Sequence, residues 1–166
     1  MIVCPDVPIT DQRYYLHTAA RLAKETENAI YTNQHDNLAN QHAHYTGTGP
    51  EIWRQTGNQL DVFLAASGSG GTLCGCSKYL KKQNEELKVY VVDPAGSGLY
   101  EYVKTGQVKG RESNHGRESI MLETRPGKTI AEGVGNNKLT RNFDREDVDG
   151  AIHVTDIEAV EMAYYL

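Results

Sequence analysis

The run from Asp61 to Val92 limits more than any other part what this chain can fold into. The apolar stretch Asp61-Val-Phe-Leu-Ala-Ala66 leads straight into Ser67-Gly-Ser-Gly-Gly-Thr72. Leu73, Cys76, Tyr79 and Leu80 then recur at helical spacing up to Lys82, and Leu87-Lys-Val-Tyr-Val-Val92 closes the run. A short apolar segment bounded by turn residues reads as a strand buried on both faces of a parallel sheet, and apolar residues every three or four positions read as a helix. The run is therefore a strand, turn, helix, strand unit of about 30 residues, the size of one βαβ crossover. It commits the chain to the α/β class.

The turn inside that unit is also its most informative chemistry. A glycine-rich turn between a buried strand and a helix start collects backbone N–H groups on one concave surface, and the helix macrodipole adds partial positive charge there. Gly68, Gly70 and Gly71 allow close approach and positive φ, while Ser69 and Thr72 supply hydroxyl donors. A phosphate is the ligand such a loop suits. A P-loop would need Gly-Lys-Ser/Thr at the helix start, whereas Thr72 is followed by Leu73 and Lys78 comes too late. A dinucleotide-binding oxidoreductase remains an alternative, because Gly68-x-Gly70 opens the helix and Asp93 ends the next strand; the third fingerprint position, however, holds Leu73.

Around this unit the pattern predicts a helix over 12–24 with strands at Met1–Cys4 and Ala29–Tyr31. It predicts a loop or domain boundary over Asn33–Asn40, and a helix opened near Pro50 within 42–56. Further elements are a helix beginning within 96–102, a glycine-punctuated turn at Ala131–Gly135, a strand within 149–155 and a last helix capped by Thr155 or Asp156. The stretch 106–127 shows no period. The first strand opens at Met1 and the last helix stops on apolar residues without a C-cap, so the chain is expected to be an internal segment of a longer protein.

Composition excludes several classes. With 166 residues the chain has room for one domain, or one domain and part of a second. A net charge of -5 with no Lys or Arg run gives no footprint for nucleic acid or an anionic membrane, and no apolar stretch approaches the roughly 20 residues that span a bilayer. Three cysteines do not make a secreted disulfide framework, so an intracellular location, cytoplasm or mitochondrion, is expected. Cys74 and Cys76 point in different directions on one helix and His42 and His44 share no helix face, so no metal site is expected. Tyr164 and Tyr165 read as a core or interface stripe, and Asp144–Asp147 as a solvated charged turn.

Several motifs, in order, resemble one family. Gly68-Ser-Gly-Gly-Thr72 is similar to the Gly-Thr-Gly-Gly-Thr phosphate loop of fold-type II pyridoxal-phosphate enzymes, the tryptophan synthase β-like group. Asn33-Gln-His-Asp-Asn-Leu-Ala-Asn40 and His44-Tyr-Thr-Gly-Thr-Gly-Pro-Glu-Ile-Trp53 resemble the Asn-Gln-Phe-x-Asn-Pro-Ala-Asn and His-Tyr-x-Thr-Thr-Gly-Pro-Glu-Ile-Trp elements of cysteine synthases. Val92–Ser97, Glu132–Gly135 and Val154–Ala159 fall where that family has similar elements. The whole chain thus resembles the cysteine synthase and cystathionine β-synthase family. Gly133–Phe143 with Asp149–Ile152 is most similar to the fungal enzymes named cysteine synthase 2.

The resemblance implies an incomplete α/β fold in which residues 1–34 end the smaller domain and 35–166 form most of the larger one. It implies pyridoxal phosphate as cofactor, bound at its phosphate by Gly68, Ser69, Gly70, Gly71 and Thr72, with Gly133 bordering the ring and Gln34 near the substrate carboxylate. It implies β-replacement of the acetate of O-acetylserine by sulfide, in a homodimeric parent. The sequence departs from the family at His35, where phenylalanine is usual, and at Leu38, where proline is usual. None of Lys24, Lys78, Lys81, Lys82, Lys88, Lys104, Lys109, Lys128 or Lys138 stands in the family's Ser-x-Lys-Asp/Glu-Arg motif. No catalytic residue is therefore assigned, and the chain alone is expected to be inactive or, as a further alternative, a non-catalytic relative that keeps the fold.

Overall fold

A computed structural model describes residues 1–7, 11–114 and 117–166. The chain forms two compact units, Met1–Gln34 and His35–Leu166.

The first unit is built on helix α1, Tyr15–Glu25. Ahead of it Arg13 closes a turn on Asp11, donating from Nη2 to Oδ2 at 2.7 Å, and the Tyr14 and Tyr15 rings meet at 4.7 Å. The strands expected at Met1–Cys4 and Ala29–Tyr31 do not form. A strand persists only where its backbone groups pair with a neighbour, and neither segment has a ladder partner among the described residues.

The second unit begins with a helical run in three pieces: α2 Ala39–Ala43, a π-helical turn His44–Thr48, and α3 Gly49–Gln55. The helix expected near Pro50 therefore starts eleven residues earlier. The Gly49 N–H donates to the His44 carbonyl across the widened turn, and such widenings and prolines are where helices leave the regular ladder. Here the two coincide, so the run passes Pro50 instead of opening there.

The sheet of this unit is parallel, ordered β1 (Val62–Ala66), β2 (Lys88–Asp93) and β5 (Gly150–His153), with Val62 opposite Lys88 and Tyr90 opposite Gly150. Helix α4, Gly71–Gln83, makes the crossover from β1 to β2 and buries Leu73, Cys74, Cys76 and Leu80 against Val89 and Val91. Helix α5, Leu99–Thr105, adds Leu99 and Val103 to the same core and ends at Gly106 in the left-handed region. The expected burial of β1 on both faces is not what forms. Phe63 and Ala65 face the core, while Val62 and Leu64, on the opposite face, stay 44% and 48% exposed, as does Ile152 at 39%. Strand residues alternate between faces, and among the described residues no helix covers the second one.

The stretch that shows no period contains a hairpin, β3 Gly110–Asn114 with β4 Arg117–Met121, antiparallel. Helix α6, Asp156–Tyr165, opens on a capping box in which Thr155 accepts from the Glu158 N–H and Glu158 accepts from the Thr155 N–H. Tyr164 and Tyr165 lie outside the core, 89% and 85% exposed. The charged turn Asp144–Asp147 is only partly solvated: Arg145–Asp147 is a 3-10 turn, and Asp147 sits half-buried 3.5 Å from the Lys78 ammonium.

Candidate functional site

The glycine-rich turn joins β1 to α4 at the carboxyl edge of the parallel sheet, where open α/β sheets bind ligands. Gly70 is the N-cap of α4 with φ +91°, a conformation glycine adopts freely, and it offers the helix no side-chain cap. The first-turn N–H groups of a helix have no partner inside it. Here those of Thr72 and Leu73 meet no acceptor among the described residues.

One neighbouring segment fixes how the turn faces. The Gly135 N–H donates to the Ser67 carbonyl at 2.8 Å. The Asn136 side-chain amide donates to the Gly68 carbonyl, and the Thr140 hydroxyl donates to the Ser69 carbonyl at 2.6 Å. No cis peptide occurs among the described residues, and in a planar trans peptide each N–H points opposite to the carbonyl before it. With the carbonyls of Ser67, Gly68 and Ser69 each taken by the 135–140 segment, the N–H groups of Gly68, Ser69 and Gly70 each point away from the donor that holds the preceding carbonyl. That is the arrangement an anion needs.

The fit is tight where the glycines lie. A Cβ on Gly68 would overlap the Gly133 carbonyl; one on Gly70 would meet Phe143 Cβ at 2.8 Å, and one on Gly71 would overlap the Asn40 amide. The Ser67 hydroxyl, buried at the start of the turn, has no hydrogen-bond partner among the described residues. Asn40 Nδ2 donates to Ser69 Oγ at 2.8 Å, and His44 Nε2 lies 3.0 Å from Thr72 Oγ1.

The structure thus brings together Gly68, Ser69, Gly70, Gly71, Thr72 and Gly133. Gln34 belongs to the other unit. Sequence reasoning missed Asn40, His44, Asn136, Thr140 and Asn142. The first two stand at the ends of motifs it did recognise. Asn142 is fully buried and carried no pattern, although it donates to the His35 carbonyl at 2.8 Å and accepts from the Gln41 N–H at 3.2 Å, tying 35–41 beside the loop.

Two neighbouring groups are explained by the fold. Asp93, the acid a dinucleotide site would use on ribose, is fully buried and accepts the Tyr100 N–H at 2.8 Å at the start of α5. Burial raises its carboxyl above the ordinary range, against the Ser97 hydroxyl, the Tyr100 N–H, His153 and Arg125, which pull it down. It is closed to a ribose hydroxyl. Cys74 is buried with its thiol pushed up to about 12 by desolvation, and its sulfur accepts the Asp144 N–H at 3.4 Å. No group of three or more His, Cys, Asp or Glu among the described residues could hold a metal.

A sequence model of the family described as pyridoxal-phosphate dependent enzymes matches residues 3–166. The chain belongs to that family. Within the pyridoxal-phosphate enzymes it is similar to the cysteine synthase of Dictyostelium discoideum, 40% identical over 164 residues that make up 99% of this chain and 42% of that protein. It is 42% identical over 171 residues to cysteine synthase 2 of Schizosaccharomyces pombe, covering 96% of this chain and 42% of that one. Among solved structures, a hydrogen sulfide-producing enzyme from Fusobacterium nucleatum superposes with a TM-score of 0.70 at 27% identity, over 91% of this chain and 44% of that one. The chain spans about two fifths of the length of the curated relatives it matches. These pyridoxal-phosphate relatives give the dinucleotide alternative no support, and the fold is that of the fold-type II enzymes.

Proposed function

We propose that this chain is the phosphate-holding part of a cysteine-forming enzyme that replaces the acetate of O-acetylserine with sulfide. The observation that carries the reading is the orientation of the turn: three consecutive carbonyls are held by Gly135, Asn136 and Thr140, and the N–H groups that follow them meet no acceptor among the described residues. Those N–H groups, with the hydroxyls of Ser69 and Thr72 and the positive end of α4, hold a phosphate without a cationic side chain. Gly133, whose carbonyl packs against Gly68, borders the cofactor ring, and Gln34 serves the substrate carboxylate. Bound there, pyridoxal phosphate supplies the electron sink for β-replacement, and the chain supplies position and electrostatics.

On this reading residues 1–34 end a smaller domain and 35–166 form most of a larger one. The protein acts on a small amino acid and sulfide, as a homodimer with no nucleic-acid partner. Its three free cysteines, two of them buried, suit a reducing compartment within the cell. Covalent attachment of the cofactor needs an amine at its aldehyde carbon, and no lysine here has the family's context, so the chain by itself forms no cysteine.

The test is a comparison of pyridoxal 5′-phosphate with pyridoxal. The chain should bind the phosphorylated form, with inorganic phosphate competing, and borohydride reduction should leave no single lysine stoichiometrically labelled. Equal binding of pyridoxal, or cofactor-dependent cysteine formation with one lysine labelled, would overturn the reading.

A further inference from the structure

The turn carries two hydroxyls, and each is met by a side chain from the same helical run. Asn40 Nδ2 donates to Ser69 Oγ at 2.8 Å, and the Gly71 N–H approaches that oxygen at 3.4 Å. His44 Nε2 lies 3.0 Å from Thr72 Oγ1, and His44 Nδ1 lies 2.9 Å from Thr48 Oγ1. Asn40 and His44 are four residues apart across α2 and the π turn, so they share one helix face.

The opposing helix is shaped to receive them. Gly71 and Gly75 are also four apart, on α4. A Cβ on Gly71 would overlap the Asn40 amide, and a Cβ on Gly75 would come to 2.8 Å from His44 Cβ and overlap the Gln41 carbonyl. Neither glycine has positive φ. They are glycine because the two helices must approach closely enough for Asn40 and His44 to reach the hydroxyls.

We infer that Asn40 and His44 are positioning residues that orient the Ser69 and Thr72 hydroxyls as donors to a phosphate monoester in the turn, an inference that rests on the phosphate reading above. A hydroxyl has one proton and two acceptor sites. Ser69 accepts from Asn40 and from Gly71, so its proton is directed to the ligand. On this inference the Thr48 hydroxyl, 2.9 Å from His44 Nδ1, is the donor of that pair, and the ring's proton is on Nε2. That proton goes to Thr72 Oγ1, and Thr72 donates its own to the ligand. Without these two side chains both hydroxyls rotate, and an incoming anion must order them itself.

The experiment measures inorganic phosphate and pyridoxal 5′-phosphate binding to the 166-residue chain by calorimetry, in two double-mutant cycles. Asn40→Leu, which keeps the bulk, is paired with Ser69→Ala, and His44→Phe with Thr72→Val. Each positioning variant should weaken phosphate binding about fivefold in the native background, and within twofold once its hydroxyl is gone. Independent losses that are the same in both backgrounds, or no loss, would overturn the inference and leave the phosphate reading standing. Failure of the native chain to bind either probe would overturn both. Because a packing role alone does not fix a tautomer, ¹⁵N shifts of the His44 ring supply a second readout: saturating phosphate should give the Nε2–H form, and an unprotonated Nε2 would refute the relay even if a variant failed to fold.

Discussion

Gly70→Ala separates two reasons for glycine at one position. The φ of +91° is strained for alanine, costing about 1–2 kcal/mol. The added Cβ would also lie 2.8 Å from Phe143 Cβ, 2.9 Å from Phe143 Cα and 2.9 Å from the Asn142 carbonyl oxygen. Two of those atoms are backbone, in a segment fixed by the Thr140 and Asn142 hydrogen bonds, so little can give way. Overpacking of this kind costs about 1–3 kcal/mol, for a total of roughly 2–5 kcal/mol. Gly57→Ala is the control: φ is +67° and nothing lies within 4 Å of the new Cβ, so only the strain remains. Urea unfolding of both variants should show Gly70→Ala less stable than Gly57→Ala by about 1–3 kcal/mol, with phosphate binding weakened only in the former. Equal midpoints would show that the 142–143 backbone yields, and would refute the view that this segment sets the shape of the turn.

Gly71→Asp places a carboxylate at the positive end of α4, where a Cβ already overlaps Asn40; phosphate affinity should fall roughly 100-fold, about 3 kcal/mol, and an undiminished affinity by calorimetry would contradict the assignment. Cys74, its thiol raised to about 12, should resist iodoacetamide at pH 8 in the folded chain while Cys4, only half-buried, is alkylated; peptide mass spectrometry decides, and faster labelling at Cys74 would count against its burial. Asp93 has a folded pKa above its unfolded value, so its contribution to stability is full below about pH 3.9 and is lost as pH rises through the folded value. Relative to Asp93→Asn, the native chain should therefore lose unfolding free energy as pH rises from about 4 toward 7, and a flat or rising difference would reverse the sign argued for its burial.

The unit that carries the site was legible because its signals are local. β1, the turn, α4 and β2 each show their period within a few residues, and Thr155 with Glu158 marks the last helix start in four. What escaped depends on partners distant in sequence. Thr140 reaches the loop across 71 residues and Asn142 reaches His35 across 107, and a polar side chain that will be buried looks, in sequence, like one that will be solvated. The N-terminal strands failed for the related reason that a strand is a property of a pair. Both faces of β1 read as apolar, yet Val62 and Leu64 remain exposed. Apolar character reports what a face is suited to bury, while burial itself needs a covering element that the period of one strand cannot supply.

The same distinction explains why the turn, and not its surroundings, suggested a ligand class in the sequence. Glycine spacing announces that N–H groups can converge, but their direction here depends on the 135–140 segment, which takes the carbonyls, and the hydroxyls are met by side chains of the Ala39–Gln55 run. Each supplies what the turn itself lacks: one a direction for the backbone, the other a direction for the side chains. A phosphate dianion rewards both at once, because its oxygens accept from several directions and each misdirected donor faces it with a lone pair or a carbonyl instead. Loosening either segment should therefore weaken phosphate binding at the proposed site while the turn keeps its sequence, because intact glycines alone do not direct the donors.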